Sequence, residues 1–255
     1  MDWKAKKQLI IFLAVFLFFL SSILLIALFL HNPTCFDRKQ NQGEEGVDCG
    51  GPCKPCVKEV KDLVVLWAKP LKLEDGRYDA AALIKNPNLS AGIPELKYRF
   101  KLFDKYNILI GARDGRTFVN PADEFVILEA NIDTGERIPK RAVIEFPEGF
   151  HWEVIKKEGP QLSVSDKKYE EGPPPRLSIR IYNKSIFDVE DIFASAVLYD
   201  SRGRVLGVSS THIDKIEGNS FKDASFLWPS SFGAEAASSQ VFVRINLTEG
   251  QDYNE

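Results

Sequence analysis

The sequence predicts an all-β protein: two tandem β-sandwiches behind a single N-terminal transmembrane helix and a small disulfide-rich neck. Three observations predict it. Leu9 to Leu30 is a run of 22 residues without a charge, all four cysteines fall between positions 35 and 56, and an apolar–polar alternation recurs after 96 residues.

The apolar run comes first. At 1.5 Å per helical residue it covers roughly 33 Å, the depth of a bilayer core. Lys4, Lys6 and Lys7 precede it and no comparable basic cluster follows closely, so the positive-inside bias sets Met1 in the cytoplasm and Glu255 outside the cell membrane. A cleaved signal peptide is the rival reading, but its apolar core is about 7–15 residues long and ends in small residues. Here Phe29-Leu30-His31-Asn32-Pro33 follows, and Asn32-Pro33-Thr34 ahead of Cys35 does not fit a lipoprotein signal. The expected partition is a cytoplasmic tail at 1–8, a membrane helix at 9–30, a cysteine-rich neck at 31–57, sandwiches at 58–147 and 148–250, and a tail at 251–255.

Next comes the segment holding Cys35, Cys49, Cys53 and Cys56. In an oxidising compartment, an even number of close cysteines in a stretch with almost no apolar core reads as two disulfides, with three pairings open. A zinc site and a thiol–disulfide enzyme using Cys53 and Cys56 are the rivals. Zinc knuckles pair two C-x-x-C units, and only Cys53-Lys54-Pro55-Cys56 has that spacing. A redox motif needs a preceding strand and a following helix, and neither pattern is present. Asp37, Asn41, Glu44 and Asp48 lead into Cys49-Gly50-Gly51-Pro52-Cys53-Lys54-Pro55-Cys56. This segment resembles a short Cys-rich module of bacterial and archaeal extracellular proteins, departing from it at Arg38 and Gln42-Gly43. The four oxygen-bearing side chains could coordinate Ca²⁺, which takes six to eight oxygens, or could cap turns; their spacing is not that of an EF-hand.

From about Val60 onward, residues such as Leu63 to Trp67, Tyr98 to Phe103, Leu177 to Ile181 and Val241 to Ile245 alternate in the manner of strands, bounded by Gly, Pro, Asn and Asp. A shift of 96 lays Phe100-Lys101-Leu102-Phe103-Asp104 on Ala196-Val197-Leu198-Tyr199-Asp200, Gly111 on Gly207 and Phe125 on Phe221. Asn86 and Asn183 match at nearly the same offset. A period this long suits one immunoglobulin-like sandwich rather than a solenoid repeat. The repeated residues resemble the family of small β-sandwich domains named for a Phe-x-Leu-Tyr-Asp signature, with Phe103 and Ala196 as departures. That resemblance implies extracytoplasmic modules without known catalytic residues. The copies are expected to meet near Phe146-Pro147-Glu148-Gly149, with Gly172-Pro173-Pro174-Pro175 as a stiff loop inside the second.

Function classes narrow accordingly. The net charge is −3, and with Asp2, Lys4, Lys6 and Lys7 removed about −5 is left after the helix, the wrong sign for a nucleic-acid partner. No hydrolase, phosphate-loop, dinucleotide or zinc-protease motif is present. Ser209-Ser210-Thr211-His212 reads as a solvated strand edge, Asp123-Glu124 and Glu170-Glu171 as exposed turns, and Trp67, Trp152 and Trp228 as packing. Asn88, Asn183 and Asn246 each begin an N-glycosylation sequon. The expectation is a non-catalytic binding or structural module of the cell envelope with a protein or polymer partner; a Ca²⁺- or ligand-binding sensor is the alternative.

Overall fold

A computed structural model describes residues 3–30, 35, 37, 39–53, 56, 60–147, 149–156 and 158–248. The expected tail at 251–255, residues 31–34, Lys54-Pro55 and Glu148 lie outside them. The chain separates into two compact units, Met1–Cys56 and Val57–Glu255.

The first unit contains one helix, α1 (Trp3–Leu30). Side chains are described for 3, 6–8 and 10–22 of it. Among the described residues no helix is long and apolar enough to cross a membrane; Leu9 and residues 23–30, which complete the apolar run, fall outside that description. Ile10, Phe12, Phe16 and Phe18 are each more than half exposed, and Ser21 and Ser22 turn their hydroxyls back onto the Phe18 carbonyl at 2.9 and 2.8 Å.

The second unit is all-β. Its strands are β1 (Val64–Glu74), β2 (Arg77–Lys85), β3 (Ala91–Phe103), β4 (Leu109–Val119), β5 (Glu124–Asp133), β6 (Arg141–Glu145), β7 (Glu153–Val154), β8 (Leu162–Glu170), β9 (Arg176–Asn183), β10 (Val189–Tyr199), β11 (Val205–Ile216), β12 (Ser220–Leu227) and β13 (Ser238–Arg244). They form antiparallel sheets in the orders β1-β2-β5, β4-β3-β6 with β7 also on β3, β12-β9-β8 and β11-β10-β13. Offsetting β1-β2-β5 by one period gives β8-β9-β12, and β4-β3-β6 gives β11-β10-β13, so both halves share one strand order. Because β7 pairs with β3, the segment just beyond Pro147 still belongs to the first half.

Alternation builds two cores. Tyr98, Phe100 and Leu102 of β3 face Ala80, Ala82 and Ile84 of β2 across the first; Ala194, Ala196 and Leu198 of β10 face Leu177, Ile179 and Ile181 of β9 across the second. A third apolar cluster lies between the halves, where Ala81, Leu83 and Val126 meet Val197, Val208 and Phe242. The β1-β2-β5 sheet of the first half therefore packs on the β11-β10-β13 sheet of the second, and β2 is buried on both faces from Ala80 to Leu83.

The seam is written in the differences between the two halves. On the docking face of the second half Val197 pairs with Val208, and Ser195 lies opposite Phe242; the matching positions of the first half, facing solvent, are Lys101 opposite Ala112 and Arg99 opposite Glu145. The exchange is mirrored on the other sheets. Leu83 pairs with Val126 in the seam, whereas Arg180 pairs with Asp223 on the outer face, joined by two hydrogen bonds of 2.7 and 3.0 Å. Each half thus carries one apolar sheet exterior and one charged one, and the charged pair caps both ends against further stacking.

Two residues repeat because each closes a loop. Asn86 Nδ2 donates to the Ala91 and Asn120 carbonyls, and Asn183 Nδ2 donates to those of Phe187 and Ile216. Asp104 Oδ1 accepts the N–H groups of Tyr106 and Ile108, and Asp200 Oδ1 those of Arg202 and Arg204. Burial pushes the Asp104 carboxyl up, but the Ile108 and Tyr106 N–H groups with Arg137 outweigh it and leave it below its ordinary value. At Asp200 the Arg204 N–H and guanidinium lower the carboxyl in the same direction.

Seam and loop closures each give an expected outcome. Val197→Lys, which copies Lys101 into the seam, destabilises the protein by about 3 kcal/mol or more, while Lys101→Val stays within about 1 kcal/mol; equal effects in urea unfolding would refute the assignment of faces. The stability due to the lowered Asp104 and Asp200 pKa values is present above the unfolded value of about 3.9 and is lost as pH falls through the folded values. Asp200→Asn keeps an acceptor in the turn but removes the titration, so its melting temperature lies below that of the parent at neutral pH and converges on it in acid.

Candidate functional site

In the cysteine segment the disulfides are Cys35–Cys53 and Cys49–Cys56. The two cysteines of the C-x-x-C thus belong to different bridges, and neither is the other's redox partner. Gly50 and Gly51 have φ of +82° and +57°, and a Cβ on Gly51 would come 2.5 Å from the Gly43 carbonyl oxygen, which explains the Cys-Gly-Gly sequence sterically.

Of the side chains considered for Ca²⁺, Asp37 bonds the Asn41 amide, and Glu44 takes the backbone N–H groups of Asn41 and Asp48. Asp37 accepts the Lys39 N–H on Oδ1 and the Asn41 side-chain amide on Oδ2, both within 2.9 Å. Buried Glu44 accepts the N–H groups of Asn41 and Asp48 on one oxygen, at 3.1 and 3.3 Å. Its other oxygen lies 3.1 Å from Cys53 Sγ. Asn41 Oδ1 is buried without a hydrogen-bond partner. Cys35, Glu44 and Cys53 have the proximity of a metal triad, but the two sulfurs are bonded to each other and are not thiolates. Both Asp37 oxygens and one Glu44 oxygen accept hydrogen bonds from within the segment.

His212 lies between Asp191 and Asp214, at 3.3 and 3.4 Å, with its ring against Phe193. Ser210, on the same face of β11, shares a hydrogen bond of 2.9 Å with Ser195. Trp152 packs on the first core and Trp228 in the second, while Trp67 borders the seam. Asn183 is buried and Asn88 nearly so, both with their amides donating, so those two sequons are closed in the folded protein.

The site that sequence reasoning missed is the lock across the seam. The Asp123 side chain, expected in an exposed turn, is only 11% exposed: one of its oxygens takes Arg244 Nε at 2.9 Å and a terminal guanidinium nitrogen at 2.8 Å. Arg244 also donates to the Phe118 carbonyl at 2.6 Å and lies between the Phe118 and Phe125 rings, 4.3 and 3.9 Å from their centroids. Beside it, Asn120 donates to the Ile245 carbonyl and accepts the Leu247 N–H, at 2.9 and 3.1 Å. Loss of water raises the Asp123 carboxyl despite its cation and lowers the Arg244 guanidinium despite its anion. A separation of 121 positions left no local signal for this pair.

No family model and no curated protein matches the chain. Among solved structures, red sea bream transglutaminase aligns over 73% of this chain and 29% of its own length, at 10% identity and a TM-score of 0.24. The chain thus spans less than a third of that protein, and a likeness this low carries no argument about fold or activity.

The lock gives a thermodynamic prediction. Asp123→Asn or Arg244→Ala alone should cost about 3–5 kcal/mol, since each strands a buried partner, whereas Asp123→Leu with Arg244→Met should fold close to parental stability. Additive losses in denaturant unfolding would contradict the coupling.

Proposed function

We propose that this chain is a single-pass membrane protein whose neck and tandem immunoglobulin-like sandwiches form a non-catalytic binding or structural module outside the cell membrane, resembling the Phe-x-Leu-Tyr-Asp family. The observation that carries the reading is α1 leading into a disulfide-closed segment. A helix apolar at every position from Ile10 to Leu20 has no partner in water, and its two serines satisfy their hydroxyls on the helix's own carbonyl, as a lipid-facing helix requires. Paired cysteines directly after it suit an oxidising exterior.

Support for a binding rather than catalytic role comes from how polar groups are used. Asp104, Asp200, Asn86 and Asn183 close loops, Ser210 is held by Ser195, and the C-x-x-C cysteines are in separate bridges.

The test is thiol labelling with a membrane-impermeant reagent in intact cells. Cys53 and Cys56 should react only after reduction, and without lysis. Labelling that requires lysis and no reductant would reverse the orientation and overturn the reading.

A further inference from the structure

One end of the first half has a surface that its fold does not require. The loops after β3 and after β5 emerge side by side at the end of β1 opposite Val64, roughly 35 Å along that strand. Tyr106, Ile108 and Ile138 stand out from them, 71%, 46% and 59% exposed. Between the loops lies a cleft of about 770 Å³.

The tip is pre-built. Asp104 accepts two N–H groups from its own loop on one oxygen and Arg137 of the neighbouring loop at 3.0 Å on the other, and the Lys140 N–H donates to the Phe103 carbonyl. The second half performs the same closure with Asp200, yet its loop reads Ser201-Arg202-Gly203-Arg204. Turn geometry therefore needs no apolar side chain here, and Tyr106 and Ile108 are additions to it.

Cations surround the apolar residues. Lys105 and Lys140 are exposed, Lys105 Nζ lies 4.8 Å from the Tyr106 ring centroid, and Arg141 stacks on Phe103 at 4.3 Å. The acidic groups lining this cleft are Glu136 and the internally bonded Asp104, while Asp75, paired with Lys72 at 2.7 Å, lines the adjoining cleft beside Ile138, on a chain whose net charge is −3. Projecting apolar residues with long basic side chains behind them match a lipid interface: the tips enter the headgroup–acyl boundary while the ammonium groups stay with the phosphates.

We infer that the Tyr106–Ile108 and Ile138 loops of the first sandwich are a docking tip for an anionic lipid surface. The inference deepens the binding-module reading and rests on it.

The full chain, reconstituted in phosphatidylcholine nanodiscs so that its helix is occupied, is mixed with vesicles of phosphatidylcholine alone or with about 30 mol% phosphatidylserine. Flotation should recover roughly ten times more protein with the anionic vesicles, and roughly 0.5 M salt should release it. Ile108→Ser with Ile138→Ser, and Lys105→Glu with Lys140→Glu, should each reduce recovery at least about fivefold without lowering the melting temperature, whereas Arg202→Glu should change nothing. Equal recovery with neutral vesicles, or variants that float like the parent, would overturn the tip. Capture by a polyglutamate peptide without vesicle binding would overturn it in favour of an acidic protein partner. A chain that does not enter nanodiscs counts against the anchor instead, and its vesicle binding then reads the tip directly.

Discussion

Asp123 and Arg244 pair with side chains about nine-tenths out of water, the guanidinium against two aromatic rings, at the edge of an apolar seam joining halves that each have a core of their own. Removing two charges from water is costly, and the shifts of both groups toward their neutral forms express that cost. Here it is offset by two guanidinium nitrogens meeting one carboxylate oxygen, a backbone carbonyl and two ring faces. Such an arrangement tolerates little displacement. Along with the Asn120 bonds to Ile245 and Leu247, it fixes how the end of β13 meets the turn between β4 and β5.

The remainder of the second unit follows from that docking. A sheet buried on one face alternates, but the seam requires β2 and β10 to be apolar on both sides locally, and runs such as Ala80 to Ile84 and Ala196 to Leu198 meet the requirement. Small residues at 80, 81 and 82 let the layers approach. Charge has been moved to the opposite exteriors, where Arg99, Lys101, Arg180 and Asp223 form ion pairs in water. Such pairs add little stability, but they keep a head-to-tail contact from propagating.

The strand order shared by the two halves also separates structural residues from functional ones. Asp104 and Asp200 close the same turn, so whatever surrounds only one of them is not demanded by the turn. The apolar and charged sheet faces differ between the halves because only one face of each lies in the seam, and Tyr106 and Ile108 surround only the first of the two turns. In the neck the same logic of local closure accounts for Glu44, Gly50 and Gly51, which sit where a disulfide-held loop needs an internal acceptor or a left-handed backbone.

The sequence by itself determined what is local. Strand alternation, the 96-residue period, the loop-closing Asn and Asp, and the clustering of the cysteines are short-range patterns, because side-chain period and turn chemistry act over a few residues. The all-β class and the paired cysteines were legible for that reason. Only the tertiary structure decided which cysteines pair, which sheet of each half turns toward the other, and that the Asp123 side chain is covered by Arg244 instead of lying in water. Those outcomes depend on groups brought together from positions far apart in the chain, and neither hydrophobic period nor charge count records which distant face will supply the partner.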